Sequence, residues 1–318
     1  MKRAFAALLL AAAPIAASAQ AWPDRPVKII VPFGPGGFTD VAARILQKEL
    51  SASLGQSVVI ENKPGAGSTI GTAEVANAKP DGYTLAMIST THVISPHLYK
   101  QIPYDPIKGF TPVMKLAEGP YVLVVHPSVP AKNVAELVAL AKSQPGAIDY
   151  ASSGNGSAQH LVGALFNSSA GVKMNHVPYK GSNQAMNDLV GGNVKVSFVG
   201  VPNALPNLAS GKLRALGVST AKRYAELPDV PSIAEAGLPG YDATVWLGLL
   251  APAGTPRDVV QKINAEIAKV LSTPEARKLM ASAGVDVSIA GPDEFGALLR
   301  SELDRWGKVV RETGATVN

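Results

Sequence analysis

The stretch from Val27 to Leu50, VKIIVPFGPGGFTDVAARILQKEL, constrains the fold more than any other part of this chain. Val27 to Val31 is an apolar, β-branched run with the length of a buried strand. Pro32 to Gly37 is a turn rich in Pro and Gly. Thr39 and Asp40 then open an amphipathic helix. A strand feeding a helix through a glycine loop belongs in a parallel sheet with helices on its faces. It also brings backbone N–H groups and the positive end of a helix to one place, which suits an anion.

The residues before this unit read as an export signal. Lys2 and Arg3 are a basic start, and Ala4 to Ala13 is an apolar run too short to span a bilayer. Small residues mark two cleavage points, Ala17-Ser18-Ala19 and Ala19-Gln20-Ala21. The second leaves Trp22 first, so residues 1–21 are expected to be removed and the rest to reach the periplasm. No cysteine follows for a lipid anchor. Lys2 and Arg3 supply two charges of the formal net +5, and the remainder is spread without the clustered stripe that nucleic acid requires. Zero cysteines exclude disulfides, Cys-bound zinc and thiol catalysis. A hydrophobic content of 47% supports a core large enough to manage without them.

The strand–loop–helix pattern repeats. Ser57 to Glu61 reads as a second strand, Lys63 to Ser68 as a turn and Thr69 to Ala78 as a helix. Tyr83 to Ser89 reads as a third strand, followed by Thr90-Thr91-His92 and a helical turn. Ligands in such sheets lie beyond the carboxyl ends of the strands, where Pro32 to Asp40, Pro64 to Ser68 and Thr90 to His92 fall. Tyr121 to His126 is a strongly apolar strand, after which a second series begins. It has a helix at Val134 to Lys142, a strand at Ile148 to Ala151, the loop Ser152 to Ser157 and a helix at Ala158 to Ser169. Strands at Val177 to Tyr179, Val194 to Val199 and Leu213 to Ser219 follow, with a helix at Asn183 to Val190. Thr244 to Leu250 is a second long apolar strand. Helices are expected at Pro256 to Leu271, Pro274 to Ala283 and Pro292 to Thr313, the first two opened by Thr-Pro pairs. The fold class is therefore α/β with two lobes and a double-strand hinge, residues 22–122 and 244–318 forming lobe 1 and 123–243 lobe 2. One continuous sheet is the rival layout.

No catalytic constellation emerges. Gly34-Pro35-Gly36-Gly37 and Gly154-Asn155-Gly156-Ser157 are neither Walker nor dinucleotide fingerprints. The second is either a donor-rich ligand loop or an ordinary capped turn. Ser219-Thr220-Ala221-Lys222 matches S-x-x-K but lacks its S-D-N and K-T-G partners. His92 and His160 follow ligand loops, with either acid–base or packing roles. Asp40 either complements its helix dipole or orients the loop by accepting N–H bonds. No metal, cofactor or catalytic residue is expected.

Longer stretches carry a resemblance. PDRPVKIIVPFGPGGFTDVAARI, LGQSVVIENKPGAGSTIGTAEVANAKPDGYTL, THVISPHLY, VLVVHPSVP, YASSGNGSAQHL, HVPYKGSNQAMNDLVGG, GKLRALGVSTAKRYAELPDVPSIAEAGLPGY and WLGLLAPAGTP run in order through nearly all of the chain after residue 21. Together they resemble the solute-binding proteins of tripartite tricarboxylate transporters, the Bug family. The resemblance implies a Venus-flytrap fold of the type II periplasmic binding protein kind. A small organic carboxylate would be held between the lobes and delivered to membrane subunits of a tripartite tricarboxylate-type transporter. By position it implies a first-lobe site of Pro32, Phe33, Gly36, Gly37, Phe38, Thr39, Asp40, Ala66, Gly67, Ser68, Thr90, Thr91 and His92. The second-lobe site would be Ser153, Gly154, Asn155, Gly156, Ser157 and His160, with Tyr179 and Lys180 at the rim and Val199 at the end of its strand.

Two departures bear on the ligand. Lys195 and Val199 stand where the family often carries acids, which weakens an amino-acid ligand. Phe38 stands where a small residue is common. Facing the cleft it would favour an aromatic acid, such as an aromatic dicarboxylate; packed under the loop it would not. A monomer is expected, with no nucleic-acid partner. A ligand sensor for a membrane receptor kinase is the alternative function, and a periplasmic enzyme a third.

Overall fold

The computed structural model describes residues 22–317. The export signal expected at residues 1–21 lies outside them. In chain order the first group is β1 (Val27–Val31), α1 (Phe38–Leu54), β2 (Val58–Asn62), α2 (Thr69–Ala76), β3 (Thr84–Ser89), α3 (Thr91–Leu98) and β4 (Phe110–Gly119). The middle group is β5 (Tyr121–Val125), α4 (Val134–Ser143), β6 (Asp149–Ser152), α5 (Ala158–Ala170), β7 (Asn175–Pro178), α6 (Ser182–Val190), β8 (Val196–Gly200), α7 (Val201–Ala209) and β9 (Arg214–Val218). The last is β10 (Val245–Pro252), α8 (Arg257–Ser272), α9 (Pro274–Ser282), β11 (Asp286–Ala290) and α10 (Pro292–Thr313).

Two sheets divide these strands into two lobes. The first has the order β11-β4-β10-β3-β1-β2 and the second β7-β6-β8-β5-β9. β1 runs parallel to β2 and β3, and β6 parallel to β7 and β8, as repeated strand–helix units require. Their carboxyl ends carry the loops that open the helices. The core strands are apolar on both faces because helices cover both; every residue of β5 and β10 is buried.

The two long apolar strands do not pair. β5 lies between β8 and β9, while β10 lies between β3 and β4. The chain crosses between lobes at Gly119–Pro120–Tyr121 and again between Ser219 and Val245. Ser219 joins the crossings: its Oγ accepts the Tyr121 N–H at 2.9 Å and donates to the Ala243 carbonyl at 3.0 Å. The serine of the S-x-x-K sequence is thus a fully buried hinge residue.

Three elements are hidden in the sequence. β4 contains Pro112 and Lys115, and β11 is short and half exposed. α7 carries two prolines, Pro202 in its first turn and Pro206 one turn later. Pro206 removes only the donor that would have reached Pro202, so the helix survives. Thr273 caps α9 as its Thr-Pro pair predicts, accepting from Ala276 N–H at 3.3 Å. At α8 the cap position is Pro256, and Thr255 Oγ1 instead donates to the Pro252 carbonyl at 2.8 Å.

α10 packs on α3 and β4 of the first lobe and on α5 of the second. Its Glu302 carboxylate is buried and accepts from the indole N–H groups of Trp306 at 3.0 Å and Trp246 at 3.3 Å, and from Arg305 at 2.9 Å. One apolar cluster consequently runs through both lobes, from Ile88 and Trp306 to Phe166 and Phe198. Among the described residues no helix is long and apolar enough to cross a membrane.

Candidate functional site

The first-lobe loop is built on Asp40. Burial alone would raise its pKa, but bonds from Arg44, the Gly36 N–H and Asn62 outweigh that and hold it below the ordinary value. Gly36 N–H donates to Oδ2 at 2.9 Å, while Asn62 Nδ2 reaches Oδ1 at 2.9 Å and the Phe33 carbonyl at 3.1 Å. Asp40 therefore fixes the curvature of the loop. Gly34 to Gly37 remain exposed while Pro32, Thr39 and Asp40 are buried.

The second loop is strained. Gly65, Ala66, Gly67 and Ser68 all have positive φ, with Ala66 at 45° and Ser68 at 75°. Non-glycine residues in this region each cost about 1–3 kcal/mol, and such strain gathers at functional sites. Ser68 stands at the cap of α2 without capping it, and its Oγ is buried with no hydrogen-bond partner. The loop thus carries an unused donor at the positive end of a helix.

The third loop is structural at the side-chain level. Thr90 Oγ1 accepts the Trp246 N–H at 3.1 Å, and Thr91 contacts Ser89. His92 is fully buried against Tyr104 and Phe110, with Nε2 at 2.8 Å from the Pro106 carbonyl. Burial pushes its pKa down to about 4, against the smaller opposing effect of Pro106. Its ring is an element of the core, not a group presented by the loop.

In the second lobe the loop 153–157 is held by the expected His160 together with Ser152 and Gln159, which were not among the expected site residues. Ser153 N–H donates to Gln159 Oε1 at 2.9 Å, Gly154 N–H to Ser152 Oγ at 3.1 Å and Gly156 N–H to His160 Nδ1 at 3.1 Å. Ser157 N–H is taken by the Gly154 carbonyl. These N–H groups are spent inside the loop, so its donors toward a ligand are hydroxyls and the Asn155 amide. Ser157 Oγ accepts the His160 N–H at 3.2 Å, which leaves its own proton to give.

His160 stacks on His176 with ring centroids 3.8 Å apart. Burial lowers the pKa of His160 to about 4; burial and then the His160 charge lower His176 to about 3. The neutral His160 ring takes its proton on Nε2 because Nδ1 accepts from Gly156. The pair lies at one end of a polar groove of about 620 Å³ that runs along α5 to residues 312–316.

The remaining expected positions have the following surroundings. Tyr179 gives its hydroxyl to Asp188 at 2.8 Å, and Lys180 is exposed. Val199 packs in the second-lobe core with Val122 and Val218. Lys195 lies at the opposite end of β8 from the loops and donates to Ser128 at 3.1 Å. Strand alternation turns Val199 inward, and strand direction places Lys195 away from the cleft.

The loops of the two lobes meet. Phe38 faces the hinge, its ring 6.4 Å from that of Tyr121, in a small apolar pocket with Gly200, Val201 and Gly284. The junction at Gly200, where β8 passes directly into α7, lies on the same edge of the second sheet as 153–157 and was not legible because α7 was not. A β-carbon on Gly156 would lie 3.0 Å from Val317 and 3.1 Å from Leu98, both reaching it from the α3 and α10 side. Among the described residues no group of three or more His, Asp or Glu gathers to hold a metal.

The family model described as tripartite tricarboxylate transporter family receptor matches residues 42–315. The chain is 39% identical to protein BugT of Bordetella pertussis over 312 residues, 97% of this chain and 96% of the other. Among solved structures it is similar to R. palustris Rpa4515 with adipate, with TM-score 0.85, 37% identity and coverage of 93% and 99%. It is also similar to MatC from Rhodopseudomonas palustris with bound malate, with TM-score 0.82, 36% identity and coverage of 91% and 100%.

Proposed function

The chain belongs to the tripartite tricarboxylate transporter receptor family, and on that premise we propose that it is a periplasmic binding protein for a small carboxylate. In this reading residues 22–120, with 244 onward, close on residues 121–243, a boundary two residues earlier than expected because Tyr121 and Val122 pair in the second sheet, and the acid lies between the loops 32–40 and 65–68 of one lobe and 153–157 of the other. It then passes to the membrane subunits of a tripartite carboxylate transporter.

The observation that carries the reading is the buried, partnerless Ser68 hydroxyl, at the N-terminus of α2 in a loop of four successive positive-φ residues, strained at Ala66 and Ser68. A carboxylate satisfies that donor and the helix end together. The exposed Gly34–Gly37 loop at the N-terminus of α1 supports it, as do the free hydroxyl proton of Ser157 and the bound adipate and malate of the two structural relatives. A few charge-assisted bonds of about 1.5–3 kcal/mol each suffice for micromolar affinity, about −8 kcal/mol.

A thermal-shift screen of organic acids, followed by calorimetry, tests the function. An acid that binds only the folded protein raises its melting temperature. Stabilisation by carboxylates, absent with the matching uncharged amides, is the expected result. Equal stabilisation by acid and amide, or none by any acid, overturns it.

A further inference from the structure

Phe38 has its backbone in one place and its ring in another. Its N–H, with those of Thr39 and Asp40, precedes the first intrahelical bond of α1, which runs from the Val41 N–H to the Gly37 carbonyl at 2.9 Å. Gly37 stands at the cap position and has no side chain to offer them. These backbone groups are the donors that a carboxylate at this helix end would take. The ring lies in the joint between the lobes. It meets Tyr121 of β5 edge-on, with centroids 6.4 Å apart and planes at 79°. It packs both on the first-lobe core and on the apolar cluster that runs through the two lobes.

Around the ring the lobes are in close contact. A β-carbon on Gly284 of the first lobe would lie 2.5 Å from Pro202 Cδ and 3.2 Å from Val201 Cβ of the second, so no methyl group fits between them. The cavity left among Phe38, Tyr121, Val201 and Gly284 is about 20 Å³. That is room for a single water and not for a second ring. An aromatic acid therefore finds no seat on this side of Phe38.

We propose that Phe38 is a positioning residue that ties the N-terminus of α1 to the second lobe, so that the donors of the loop 32–40 come into register as the lobes close. This rests on the carboxylate-binding function proposed above. The reason is packing: a close-packed joint moves between discrete arrangements and does not deform continuously. A turn of the second lobe about the crossing at Gly119–Tyr121 moves Tyr121 and Val201 against the ring. The ring carries the first turn of α1 with it. Phe38 then acts on every acid alike and does not select an aromatic one.

A double-mutant cycle of Phe38→Ala and Tyr121→Leu, read by calorimetry, tests it. The probes are benzoate and terephthalate as aromatic acids, malate and adipate as aliphatic ones. Each single variant should weaken every acid that the wild type binds by a common factor of about 5- to 150-fold, the usual size of a coupling between sites. The double variant should bind no more weakly than the worse single one, because both changes remove the same contact. Phe38→Leu keeps an apolar group in the joint and should lose less; it replaces Phe38→Ala in the cycle if that variant does not fold. Phe166→Leu, in the second-lobe core against Phe198 and Tyr241, is the control. It should melt earlier and bind as the wild type does. Losses confined to aromatic acids, unchanged affinity in either single variant, additive losses, or an equal loss in Phe166→Leu overturns the coupling while leaving carboxylate binding intact. A wild type that binds none of these acids overturns the carboxylate function and the coupling with it.

Discussion

Ser219 Oγ accepts the backbone N–H of Tyr121 at 2.9 Å, and through this bond the outgoing crossing between the lobes is tied to the returning one. The same hydroxyl donates to Ala243, and Ala243 N–H returns to the Ser219 carbonyl at 2.7 Å. The two crossings therefore move as one hinge. Ser219→Ala should leave the buried Tyr121 N–H unpaired and destabilise the protein by about 1–3 kcal/mol. Urea denaturation measures this. Lys222→Ala, at an exposed position, should be neutral, and a stability loss there equal to that of Ser219→Ala would contradict the hinge role.

Asp40→Asn should loosen the first ligand loop. Half-exposed Arg44 contributes little; the bonds to Gly36 and Asn62 carry the effect. Because its native pKa is lowered, Asp40 contributes stability that is full above the ordinary carboxylate value and is lost as pH falls through the lower native value. The variant should bind its acid about tenfold more weakly and lose the wild type's additional unfolding in strong acid. Calorimetry and acid titration followed by circular dichroism give both readouts.

The buried histidines set a different window. His92 and His160 are held near 4 and His176 near 3, below their ordinary 6.5, so the unfolded chain binds protons that the native chain refuses. Their contribution to stability is whole above about 6.5 and declines as pH falls toward 4. Melting temperature should drop between pH 7 and 5, and His176→Gln should flatten that slope. A melting temperature constant over this range would contradict the burial of the pair.

Gly156→Ala should cost affinity more than stability. Its φ of 74° alone costs a side chain about 1–2 kcal/mol. The added methyl group would also press on Val317 and Leu98 and push the ligand loop or the lobes apart. Gly211→Ala is the control: its φ is 68° with nothing within 4 Å of the new atom. Both variants should melt earlier, and calorimetry should find binding impaired only at position 156.

Glu302→Leu should destabilise by about 2–4 kcal/mol, since two buried indole N–H groups lose their acceptor. Glu302→Gln keeps an acceptor oxygen and should cost about half as much. Because α10 packs on both lobes, a midpoint shift at constant denaturant slope is expected in urea.

The sequence by itself determined the repeated strand–loop–helix units, the parallel strands, the two series and the loops at the strand ends. Apolar runs such as Val27 to Val31 and turn residues such as Pro64-Gly65 encode these through local periodicity and backbone preference. It also carried the family resemblance, through long stretches in order. It did not reveal β4 or α7, where Pro112, Pro202 and Pro206 read locally as breakers but occupy tolerated positions. Nor did it tell that Val199 and His92 turn into the core, that Gln159 and Ser152 consume the N–H groups of their loop, or that the Phe38 ring lies against Tyr121. Only the tertiary structure decided these. Period and turn chemistry are properties of neighbouring residues, whereas the direction a side chain faces, and whether its donor is left unused, depend on segments that pack beside it from as far as 206 residues away, as Leu303 does for His97.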